Sequence, residues 1–130
     1  MGRMARFLWI CLGGAAGTGA RYLLSGWLLR AAGPGFPWGT LAVNVIGSFL
    51  LGLIMQVSLS TGLLSPTLRL GLTTGVMGGF TTYSTFNYET LQLCQRNEWL
   101  PAFANLAATL LGCLAVGVLG IFAGRLLVGD

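Results

Sequence analysis

The sequence predicts an all-α membrane protein with four transmembrane helices, the third of them broken. Three observations predict it. Charged residues are 8% of the 130-residue chain and hydrophobic ones 55%, where soluble domains carry roughly 25% charge. The seven cations are all Arg and stand singly, and the stretches between them match the length of a bilayer-crossing helix. The third such stretch is crowded with Gly and Thr, which a continuous helix tolerates poorly. So few charges cannot cover a water-facing surface, which excludes a soluble globular domain and a disordered chain. A nucleic-acid binder is excluded as well, because the net charge is only +4 and no basic cluster exists.

A hydrocarbon core about 30 Å thick takes roughly 20 helical residues. The first span fits residues 7–29, between Arg6 and Arg30, with Arg21 as its one charge. A signal peptide competes for this stretch, since Arg3 and Arg6 precede an apolar run. The run is too long for that, contains Arg21 and is followed by further spans. The second span fits residues 38–60, within the uncharged region 31–68. The third fits 69–95, and the fourth fits 99–125, uncharged from Trp99 to Gly124. Turns are expected at Gly33-Pro34-Gly35-Phe36-Pro37, from Ser58 to Pro66, and from Gln95 to Pro101. One four-span domain thus accounts for residues 1–130.

Orientation is weakly encoded. Arg3, Arg6, Arg69 and Arg125 fall on one side, Arg30 and Arg96 on the other. Charge alone leaves two readings open: one orientation with cytoplasmic termini, or insertion both ways as an antiparallel homodimer. Four helices of this size fill their own interior, so an ion path is expected between subunits. Small-residue pairs supply close packing: Gly13 and Gly17, Ser48 and Gly52, Gly120 and Gly124. The row Gly71, Gly75 and Gly79 in the third span carries most weight. Cys11, Cys94 and Cys113 have no CxxC spacing and read as small apolar residues, and there is no His.

Polar residues inside spans are the functional clues. Arg21 shares a face with Gly13 and Gly17. It reads either as an anion attractor at a pore entrance or as an anchor for headgroups or a carbonyl-rich loop. Glu89 is its ion-pair partner on paper. Thr40, Asn44 and Ser48 follow at four-residue steps on one helix face. Asn44 reads either as an interhelical hydrogen bond or as the lining of a polar path. Asn105, Thr109 and Cys113 form a weaker stripe in the fourth span.

From Leu70 to Tyr88, Gly, Thr, Ser and Asn make up 11 of 19 residues, which a broken helix explains better than a packing helix. Carbonyls freed at membrane depth must be satisfied by neighbours or by an ion. Such oxygens suit a hard cation such as sodium. Hydroxyls and electropositive ring edges beyond the break, with Tyr83 and Phe86 three apart, instead suit an anion.

The string Gly78-Gly79-Phe80-Thr81-Thr82-Tyr83-Ser84-Thr85-Phe86 closely resembles the signature of the Fluc (CrcB-type) fluoride channels. Gly13-Gly14, Gly17 and Arg21-Tyr22 follow the same family in the first span. Gly39-Thr40-Leu41, Asn44 and Gly47 do so in the second, and Leu111-Gly112 in the fourth. The resemblance implies an antiparallel dual-topology homodimer in the cell (inner) membrane, with two pores that pass fluoride out passively to relieve its toxicity. It implies a structural sodium ion on the carbonyls of Gly78 and Thr81 from each subunit. Tyr83 and Phe86 would be the pore aromatics, Asn44 a pore-lining amide, Ser84 and Thr85 the polar track, and Arg21 the vestibule arginine. Tyr83 replaces the family's usual Phe, and Cys113 stands where Ser is common.

The rival reading is a proton-coupled exporter of the small multidrug resistance type, of similar length and span number. That mechanism needs a carboxylate in the first span, and residues 7–29 contain none. An enzyme is not expected, since no nucleophile–base or carboxylate pair is visible.

Overall fold

The structure is a computed structural model that describes residues 2–129, and its ordered elements are helices. Helix α1 spans Arg3–Ala32 and ends at Gly33, whose positive φ of 79° closes the last turn onto Leu29 O. Helix α2 spans Trp38–Thr61. It runs further than the turn expected from Ser58, because the first residue able to leave the helix cheaply is Gly62, at φ 64°. Ser58 is consequently buried inside the bundle.

Helix α3, Pro66–Leu70, starts with Pro at its first position and Ser65 as cap, the Ser65 Oγ accepting from Leu68 N at 3.2 Å. It passes into a π-helical stretch, Gly71–Met77, and then into α4, Gly78–Phe80. Thr81 and Thr82 are extended, and α5 begins afresh at Tyr83–Gln95. The third segment is therefore broken, as its Gly and Thr content predicts. Helix α6 spans Trp99–Val128, and Pro101 sits harmlessly in its first turn, where the N–H has no helical partner to lose.

Two glycine seams hold the bundle. Between α1 and the π-helical stretch, a Cβ on Gly17 would collide with the Val76 carbonyl, and one on Gly13 with that of Gly71. Between α2 and α6, a Cβ on Gly52 would lie 2.6 Å from Gly117 O, and one on Gly120 would strike Phe49 O. Backbones can approach this closely only without side chains. Long apolar residues accordingly point outward, among them Leu23, Phe103, Leu114 and Phe122. Helices α2 and α6 are each long and apolar enough to cross a membrane on their own. Helix α1, with Arg21 in its interior, and the short helices of the broken segment do not meet that measure by themselves.

Candidate functional site

The break is organised by side chains that replace backbone partners. In a continuous helix each carbonyl accepts from the N–H four residues on. Thr81 N closes the last such turn, onto Met77 O at 3.0 Å. The next donor, Thr82 N, gives its hydrogen to Asn44 Oδ1 at 2.8 Å instead of to Gly78 O. Asn44 Nδ2 in turn donates to Thr82 O at 3.0 Å. Thr85 N, which would serve Thr81 O, bonds the capping Thr82 Oγ1 at 3.3 Å. Arg21 Nε takes the carbonyl of Gly79 at 3.1 Å.

The carbonyls of Gly78 and Thr81 thus both lose their helical donors to side-chain substitutions. They are among the backbone oxygens the break frees, and neutral oxygens of this kind suit a hard cation. Among the described residues no cluster of three or more His, Cys, Asp or Glu offers an alternative.

Two cavities flank the break. One, about 310 Å³, is lined by Asn44, Ser48, Thr81, Tyr83, Phe86, Thr109 and Cys113. Within it the Tyr83 and Phe86 rings meet edge to face, centroids 5.7 Å apart. Phe86 is buried, whereas Tyr83 is 74% exposed, so the pair spans from the core to the outer surface of the chain. The other cavity, about 430 Å³, is lined by Arg21, Tyr22, Thr40, Thr85 and Glu89 among others. Thr82 borders both cavities.

The sequence-derived residues therefore divide. Asn44, Tyr83 and Phe86 share one cavity, Arg21 and Thr85 the other, and exposed Ser84 lines neither. The paper pairing of Arg21 with Glu89 is replaced: Arg21 holds a carbonyl of the broken turn, the anchoring alternative for this residue. Glu89 Oε1 accepts from Thr40 Oγ1 at 3.0 Å, and Oε2 is buried without a partner among the described residues. Asn44 makes the hydrogen bonds to the third segment that the first of its two readings expects, and it also borders a cavity. Sequence reasoning missed Thr82, whose signal was its place as a Thr just ahead of a new helix. It also missed Thr90, which donates to Phe86 O at 2.8 Å and accepts from buried Asn105 Nδ2 at 2.8 Å.

A family model described as "CrcB-like protein, Camphor Resistance (CrcB)" matches residues 8–121. The chain is 60% identical over 125 residues to the "Fluoride-specific ion channel FluC" of Sorangium cellulosum, covering 96% of this chain and 98% of that protein. It is 61% identical over 125 residues to the protein of the same name from Anaeromyxobacter dehalogenans, covering 96% of each. A Geobacter metallireducens protein, again so named, is 53% identical over 116 residues, 89% of this chain and 94% of its own length.

Proposed function

The chain belongs to the CrcB-like family, and from that membership we propose that it is a fluoride-selective ion channel rather than an enzyme. The observation that carries the reading is the cavity beside the break, where an amide, a hydroxyl and two ring edges converge. Fluoride is small and strongly hydrated, so a pore must replace its water with several modest donors. A lone strong cation would hold the ion too tightly to release it. Asn44 has two Nδ2 hydrogens and commits one to Thr82 O, leaving one for the cavity. Ser48 contributes a hydroxyl, that of Thr109 being directed to Asn105 Oδ1 at 3.5 Å, and the ring edges of Tyr83 and Phe86 are electropositive.

The same reading makes the active unit an antiparallel homodimer in the cell membrane, with four spans per chain. Exposed Gly78 supports it, since a backbone carbonyl without its helical donor needs a partner at membrane depth. A second chain would also supply the remaining ligands of a sodium ion seated on the carbonyls of Gly78 and Thr81. That ion would be structural, not transported, and its positive charge would bind the two broken segments together.

The decisive measurement is electrode-detected fluoride efflux from liposomes carrying the purified protein under a potassium gradient. Efflux should begin only when valinomycin provides charge compensation, and should need no pH gradient. Efflux that instead requires a pH gradient would establish proton coupling and remove the channel reading.

A further inference from the structure

We infer that Asn44 and Gly47 are positioning residues of the sodium site: neighbours on α2, they fix the two consecutive residues of the break and thereby keep both ligand carbonyls available. The inference rests on the sodium part of the proposed function and assigns it residues outside the ligand pair. It begins from two contacts. Asn44 grips Thr82 through both halves of one peptide residue, accepting from its N–H at 2.8 Å and donating to its carbonyl at 3.0 Å. Gly47, one turn further along the same face, leaves the space that the Thr81 methyl fills, and any Cβ there would overlap Thr81 Cγ2.

Each contact has a definite consequence for the carbonyls. Were Asn44 absent, the nearest acceptor for Thr82 N–H would be Gly78 O, the partner that a continued helix dictates. A half-buried N–H at membrane depth also needs a partner, so the helix would extend and the Gly78 oxygen would be consumed. Asn44 is itself buried, with Oδ1 and one Nδ2 hydrogen committed to Thr82. Thr81 is held twice, by its Oγ1 on Met77 O at 2.9 Å and by its methyl in the Gly47 recess. Both anchors set the direction of the residue whose carbonyl lies just before the extended bond. Asn44 also lines the anion cavity through the same side chain. One amide thus joins the two ion sites mechanically, and loss of sodium is expected to disturb the anion path through it.

The test needs a readout apart from flux. Thermal unfolding of the detergent-solubilised full chain is followed as sodium chloride replaces N-methyl-D-glucamine chloride, giving a half-saturating sodium concentration. Asn44→Ser, too short to clasp Thr82, should raise that concentration at least tenfold. Asn44→Asp, which keeps an oxygen for Thr82 N–H, should stay within about threefold of the parent. Thr81→Ser, which keeps the hydroxyl and removes only the methyl, should raise it about threefold and serves where Asn44→Ser does not fold. A parent protein that responds to sodium, with Asn44→Ser and Thr81→Ser at the parental midpoint, would overturn the positioning role while leaving the sodium site standing. A parent indifferent to sodium would overturn both.

Discussion

Arg21 Nε donates to the carbonyl oxygen of Gly79 at 3.1 Å, tying the middle of α1 to the turn just before the break. The guanidinium carries five donors in a rigid fork, so one fixed hydrogen bond leaves four for the larger cavity it lines. Lysine keeps the charge but has no counterpart of Nε. Arg21→Lys is therefore expected to lower unfolding stability by about 1.5–3 kcal/mol, the range for a hydrogen bond from a charged group. It should reduce fluoride flux less than Arg21→Gln, which loses the charge as well. Denaturation and efflux on the same preparations check this, and an unchanged stability for Arg21→Lys would show that the Gly79 contact contributes nothing.

The α1 seam makes a paired prediction about two glycines only two residues apart. A Cβ on Gly17 would run into the Val76 carbonyl, while one on Gly19 meets nothing within 4 Å. Gly17→Ala must push α1 off the π-helical stretch and should cost about 3 kcal/mol or more, at the upper end for overpacking. Gly19→Ala should be neutral or stabilising by about 0.5–1 kcal/mol, the helix-interior gain from removing Gly. Equal effects of the two substitutions would mean that the seam is looser than its backbone spacing implies.

These contrasts also show where sequence reasoning stops. Arg spacing located the long helical segments to within a few residues, because charge is costly inside an apolar helix and so marks the ends. The break was readable from Gly78 to Thr85, because those residue types disfavour a continuous helix. The π-helical stretch Gly71–Met77 was not, since an extra residue per turn is set by packing on α1 rather than by local preference. Asn44 was readable as a polar residue facing protein, yet its grip on Thr82 joins residues 38 apart. The Arg21–Glu89 pairing failed for a related reason. Opposite charges suggested it, whereas the broken turn offered Arg21 an unpaired carbonyl nearer at hand.

Topology is the next expectation. Four Arg on one side against two on the other leave the orientation open, and the proposed antiparallel dimer requires both orientations in one membrane. Cys11, Cys94 and Cys113 are free thiols, and replacing them leaves a background for a single Gly129→Cys probe. An impermeant thiol reagent added from one side should modify about half the copies. Modification of every copy, or of none, would exclude the antiparallel dimer.

The aromatic pair gives the sharpest test of the anion path. Phe86 is 3% exposed and meets Tyr83 edge to face, so it has both a packing role and a place in the cavity. The two roles separate chemically. Isoleucine approximates the bulk of the ring but lacks its electropositive edge. Such a swap in a plain core costs about 1–3 kcal/mol or less and leaves function near normal. If the ring edge helps replace fluoride's water, Phe86→Ile should cut flux by at least tenfold while the protein still elutes as the parental assembly. Tyr83→Phe keeps the ring and removes a hydroxyl that makes no hydrogen bond among the described residues, so its flux should stay within about twofold. Because Thr90 Oγ1 donates to Phe86 O and itself accepts from Asn105 Nδ2, the backbone at this position is tied independently of the ring, the substitution should not displace α5, and a flux loss can be assigned to the edge itself. Phe86→Ile conducting at the parental rate, with unchanged elution, would make the ring a packing element and leave Asn44 and the hydroxyls as the donors of the path.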